Sequence, residues 1–290
     1  MNVSRLEEVI RDACLLEATA RKAGNVHPEA SFKHLCYTDF VRSAHAIAPI
    51  LARTGERGVG RTILRAVEAT RSVCDHNTNL GIILLLTPLA GVRSDIPLRE
   101  GIAGVLSGLT VVDSKKVFQA VRLAAPRGLG QSDTEDVAAE PTQPLIEIMR
   151  LATDRDLIAR QFSTDFEMVL RFSESCLSPE AMAADWETQV IRLQLELMAS
   201  TPETDILRKC GEAEAIEASR RARNVLDSGW PESQAAQTQF AEFDAWLRED
   251  GSRRNPGTTA DLVTACLFVA LREGRIRMPA QFEADIQPAN

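Results

Sequence analysis

The sequence predicts an all-α protein, a multi-helix bundle forming a single domain with one buried helix at its centre. Three observations predict it. Apolar residues recur at helical spacing over most of the 290 positions. No segment alternates apolar and polar residues as a half-buried strand does; Val111-Val112 is too short, and the chain has one tyrosine. Finally, residues 80–89 are apolar on every side, the composition of a helix surrounded by other helices.

The elements follow in order. Residues 3–22 place Leu6, Val9, Ile10, Ala13, Cys14, Leu16 and Ala20 on one stripe, with Gly24 as the expected stop. Residues 40–52 and 61–73 read likewise, then the apolar segment 80–89, which Pro88 is expected to kink or end. Further helical windows are 98–109, 114–124, 145–152, 155–162, 166–176, 179–198, 213–226, 232–247 and 258–272. Residues 125–144, rich in Gly, Pro and acidic side chains, predict one long loop, and a single domain is expected to span 1–290.

Composition removes several function classes. No run reaches the ~18 apolar residues of a membrane span. The first residues enter an amphipathic pattern at once, without a signal peptide's apolar stretch, so a cytoplasmic location is expected. Net charge is −8 with scattered basic residues, which argues against a nucleic-acid partner but leaves room for a local phosphate pocket. Six cysteines contain no C-x-x-C pair, so a sequence-local zinc site is not expected. Neither G-x-G-x-x-G nor G-K-[ST] occurs, and without strands neither nucleotide fold is available.

Two junctions stand out. Asp75-His76-Asn77-Thr78-Asn79 and Gly81 surround the start of the apolar helix, where a single N-cap would suffice. Their backbone N–H groups and carboxylate suit either capping or the binding of a phosphate or metal. Asn255-Pro256-Gly257-Thr258-Thr259-Ala260-Asp261 is the second such start; Thr258-x-x-Asp261 resembles a capping box, and the Pro-Gly-Thr-Thr backbone leaves N–H groups for an oxyanion. Two polar helix starts so far apart suggest one site assembled by folding. Lys22, with Arg21, either serves the dipole at a helix C-terminus or binds phosphate, with Glu17 acting on substrate. Asp205 and Arg208, three apart on one helix face, form either a surface ion pair or part of a site. Asp154 and Asp156 open another helix as ordinary dipole partners.

Taken in order, these pieces resemble the triphosphoribosyl-dephospho-CoA synthase family. That family carries an E…KPG-x-V segment, an N-T-H-K-G segment opening an apolar helix, a D-x-x-x-x-R-x-G segment and a closing N-P-G-x-x-A-D-L-L helix. The matching positions here are 17–26, 77–81, 205–211 and 255–262. Asn79-Leu80 stand where the family has His-Lys, and Ala23 replaces the proline of K-P-G.

The resemblance implies transfer of the triphosphoribosyl part of ATP to a ribose hydroxyl of dephospho-CoA, with adenine released. It implies Glu17, Asp75 and His76 as catalytic candidates. Lys22, Asn25, Asn77, Asn79, Arg208, Gly257 and Thr258 become substrate-binding candidates, and Asp75, Asp205 and Asp261 candidate ligands for the Mg²⁺ that accompanies ATP. The partners implied are ATP and a phosphorylated acceptor; oligomeric state is not legible. The departures at Asn79 and Leu80 keep two alternatives open: another phosphorylated acceptor in one-carbon carrier (methanopterin-type) cofactor biosynthesis, and a nucleotide-binding or assembly protein without catalysis.

Overall fold

The computed structural model describes residues 1–125, 136–280 and 282. Among them are fifteen helices and no β-strand, as the periodicity predicts. The first group is α1 (Val3–Thr19), α2 (Tyr37–Leu51), the single turn α3 (Thr54–Arg57), α4 (Val59–Val73) and α5 (Leu80–Gly91). Next come α6 (Leu98–Ser107), α7 (Val111–Ala124), α8 (Leu145–Leu151), α9 (Leu157–Ser163), α10 (Glu167–Cys176) and α11 (Pro179–Ser200). The last four are α12 (Thr204–Cys210), α13 (Glu212–Asp227), α14 (Gln234–Arg248) and α15 (Gly257–Arg272). No described helix is long and apolar enough to cross a membrane.

The central helix is α5, whose residues from Leu80 to Ala90 are all buried. Its neighbours include α2, α4, α6 and α15. A second apolar helix, α15, buries an unbroken run from Leu262 to Leu271 and packs on α1, α5 and α10. Truncating one such leucine to alanine typically costs about 2–5 kcal/mol. A smaller apolar cluster lies among α11, α13 and α14, around Leu195, Ala218, Phe243 and Leu247.

Several boundaries differ from the periodicity, each for a local reason. α1 ends at Thr19 rather than at Gly24, because Ala20 turns to extended backbone. Pro88 does not end α5: the helix runs on to Gly91, the proline sitting only three residues from its end. Val111-Val112 forms the first turn of α7, drawn into helix by a capping box between Thr110 and Asp113. Periodicity also left out α3, a single turn, and α12, seven residues long.

Of the predicted loop 125–144, residues 126–135 lie outside the described residues. Residues 136–144 are held to α7: Arg122 Nη1 donates to the Val137 carbonyl at 2.6 Å and Ser114 Oγ to that of Gln143 at 2.7 Å. None of the six cysteines is paired; Cys14, Cys74 and Cys266 are buried.

Candidate functional site

Folding brings the polar helix starts together. One cavity of about 1130 Å³ is lined by Glu17 of α1, the 75–82 stretch, Asp205 and Arg208 of α12, and Gly257, Thr258 and Asp261 of α15. The two junctions touch directly. A Cβ at position 81 would overlap the Asp261 carboxylate, and the Ile82 N–H at the start of α5 hydrogen-bonds to that carboxylate. A Cβ at Gly257 would stand 3.0 Å from Asp205 Oδ2. Each junction glycine is therefore the gap through which a carboxylate from another helix reaches the cavity.

Burial shapes the acids. Asp261 keeps some access to the cavity but lies deep, and desolvation, then the neighbouring Glu17, Asp205 and Glu203, push its carboxyl well above the usual range. Glu17 is 3% exposed, and burial raises its carboxyl while Lys22 opposes the rise. A cluster of carboxylates in a water-poor cavity does not all ionise together.

Lys22 departs from the phosphate-binding reading. It is fully buried and does not line the cavity; its Nζ lies 3.0 Å from Glu17 Oε1 and donates to the Glu17 and Ala20 carbonyls. It caps the end of α1 and balances Glu17, which a helix C-terminus favours. Asn25 is likewise engaged within the protein. Its Oδ1 accepts from Gln194 at 3.0 Å and its Nδ2 donates to Asn255 at 2.9 Å, tying the segment after α1 to the start of α15.

At the start of α5, Asn77 Oδ1 accepts the Leu80 N–H at 3.0 Å, so Asn77 supplies the cap. Asn79 is 5% exposed; its Oδ1 accepts from Thr70 at 3.0 Å, and among the described residues its Nδ2 has no partner. Asp75 and His76 are exposed at the cavity rim, where the His76 ring stands 6.3 Å from that of His34.

On α12 the ion pair forms, but inside the cavity rather than on the surface. Arg208 Nη2 bonds Asp205 Oδ1 at 2.6 Å and Lys209 Nζ bonds Oδ2 at 2.5 Å, all three residues facing the cavity. Asp156 caps α9 through the Ile158 and Ala159 N–H groups. The capping box expected at α15 does not form, because the helix already begins at Gly257 and so encloses Thr258, whose Oγ1 accepts from Thr204 at 3.4 Å. The oxyanion-binding backbone is also reduced: Gly257 N–H returns to the Asn255 carbonyl at 2.9 Å, and Thr259 N–H goes to Glu203 at 3.2 Å.

Glu203 escaped the sequence. It is 1% exposed, accepts the Ile206 N–H at 2.5 Å and the Thr259 N–H, and so holds α12 and α15 at the spacing that aims Asp205 and Asp261 at one cavity. Burial, followed by the Asp205 charge, pushes its carboxyl to about 7. The signal was Glu203 immediately before a short helix, a position any capping residue fills.

The expected metal ligands do not form a ready-made cage. Among the described residues no group of three His, Cys, Asp or Glu side chains is placed to hold a metal ion. Asp205 is engaged by two cations and Asp75 stands at the rim.

No match to the chain was found among curated proteins. A protein from Archaeoglobus fulgidus, described as a triphosphoribosyl-dephospho-CoA synthase, shares the fold with a TM-score of 0.63 at 26% identity. The alignment covers 80% of this chain and 98% of that one. Residues 3–279 match the family described as ATP:dephospho-CoA triphosphoribosyl transferase. The chain belongs to that family, and its activity is the transfer of the triphosphoribosyl group of ATP to dephospho-CoA.

Proposed function

We propose that the carboxylates converging on the cavity divide the reaction between them, with Glu17 as base and Asp261 as acid. In the transfer, the bond from the ribose anomeric carbon to adenine breaks and its electron pair leaves with adenine. A bond from the acceptor hydroxyl oxygen to that carbon forms. The hydroxyl loses its proton to a base, and adenine gains one from an acid. Glu17, whose rise on burial is opposed by the buried Lys22 beside it, suits the first role. Asp261 suits the second, because burial and its acidic neighbours raise its carboxyl well above the usual range.

The triphosphate belongs at the α12 end, where Arg208 and Lys209 meet the cavity. Phosphates would draw these cations from Asp205. Mg²⁺ is commonly held by one or two carboxylates together with phosphate oxygens, and the freed Asp205 fits that set. The ion would supply neutralisation of phosphate charge. Asn77 at the rim and the Thr258 backbone would complete the phosphate contacts, and Asp75 and His76 would meet the acceptor as it enters. An ATP-consuming reaction of this kind suits the cytoplasm.

The single observation that supports these roles is the contact of Asp261 with the Gly81 start of α5, beside Glu17. The test is to incubate the protein with Mg-ATP and dephospho-CoA and to follow free adenine. Stoichiometric adenine, lost in Glu17→Gln and Asp261→Asn, is expected. Formation of ADP or AMP, or full activity in both variants, would overturn the proposal.

A further inference from the structure

We infer that the α7–α8 side of the cavity is a separate chamber for an uncharged, elongated arm of the acceptor, so that ATP and acceptor occupy the cavity together. The inference rests on the proposed placement of the triphosphate at the α12 end.

The two ends of the cavity are chemically opposite. Glu17, Asp205 and Asp261 come from α1, α12 and α15. The other wall is formed by Val117, Phe118 and Val121 of α7 with Ile148 and Met149 of α8. No charged side chain of α7 or α8 themselves lines the cavity; Asp136 and Arg155, which flank these helices in sequence, do. α5 joins the ends: Gly81 abuts Asp261, and Leu84, almost one turn further on, lines the cavity as well.

A phosphate finds no partner on α7 or α8, and burying a charge against them without one is costly. The volume also exceeds the roughly 300–1,000 Å³ of an ordinary small-molecule site. Dephospho-CoA carries a part that suits such a wall: beyond its diphosphate runs an uncharged, elongated arm.

The test compares dephospho-CoA with ADP, which keeps the ribose hydroxyls and diphosphate but lacks the arm. Steady-state adenine release is measured in wild type, Val121→Asn and Met149→Gln, with urea unfolding as a check on folding. Met149 is half-buried, so its variant remains informative if Val121→Asn does not fold. KM for dephospho-CoA is expected to rise about tenfold in the variants, since a polar group in an apolar chamber costs that much or more. KM for ATP and the weaker turnover of ADP should not move. A rise in KM for ATP instead would overturn the inference by assigning the chamber to adenine. So would a wild type that does not distinguish the two acceptors. Absence of adenine with either acceptor would sink the transfer roles, and calorimetric titration then decides the chamber alone. Tighter binding of dephospho-CoA than of ADP, lost in the variants, would sustain it; equal binding or none would overturn it.

Discussion

The carboxylate of Asp261 occupies the space that a side chain at Gly81 would fill, so the first turn of α5 and the beginning of the second turn of α15 meet without a spacer. The Ile82 N–H completes the contact by hydrogen-bonding to that carboxylate. The buried central helix thereby holds a catalytic candidate from near the other end of the chain.

Gly81→Ala should displace Asp261. Overpacking of this kind costs about 1–3 kcal/mol, and a misplaced reacting group costs on the order of 100-fold in rate. Urea midpoints and adenine release measure the two effects separately. Adding Asp261→Ala should recover the stability and none of the activity; a fully active Gly81→Ala would refute the arrangement.

Asp261→Asn removes a carboxyl whose ionisation is disfavoured by burial and then by its acidic neighbours. Stability should hold or rise slightly, while adenine release falls by about 10²–10⁴, the usual contribution of a positioned acid. An active Asp261→Asn would reassign the proton donor.

Lys22→Met distinguishes balancing of Glu17 from phosphate binding. Breaking a buried pair costs about 3–5 kcal/mol, and the double variant with Glu17→Gln should regain most of it. Without Lys22 the Glu17 carboxyl rises further, so the acid limb of the rate profile should move to higher pH. A raised KM for ATP at unchanged stability would instead put Lys22 on the phosphates.

Glu203 ties stability to pH. Its carboxyl is raised from 4.5 to about 7 in the folded protein, so between those values the folded state binds more protons than the unfolded one. Stability is therefore greatest below pH 4.5 as far as this group is concerned, and falls as pH rises to about 7, by on the order of a few kcal/mol. The raised Asp261 adds in the same direction. Glu203→Gln should flatten that slope in urea titrations across the window. It should also lose about 1–3 kcal/mol, since an amide leaves one of the two helix N–H groups without an acceptor. A slope unchanged by the substitution would remove Glu203 from this account.

Arg208→Ala and Lys209→Ala should each raise KM for ATP; each leaves the buried Asp205 with its other cation, so each alone should cost less than the about 3–5 kcal/mol of breaking a buried pair outright. Kinetics at two salt concentrations checks this: weaker salt dependence in the variants is the expected sign of phosphate contact.

Helical periodicity, a short-range property repeated every few residues, was sufficient to read the all-α class and the burial of α5 before any coordinates. The polar starts of α5 and α15 were legible for a related reason: clusters such as 75–79 and 255–261 exceed what one cap requires. The roles inside those clusters were not legible. Whether Lys22 faces a phosphate or Glu17, whether Asn25 binds substrate or Asn255, and whether Thr258 or Glu203 caps α15 depend on partners far away in sequence. Spacing carries no information about such partners. The sequence by itself determined the helices and marked the polar ends among which a site had to lie. Tertiary structure alone decided which carboxylates share one cavity and which cations balance them, because hydrogen bonding and desolvation act through space rather than along the chain.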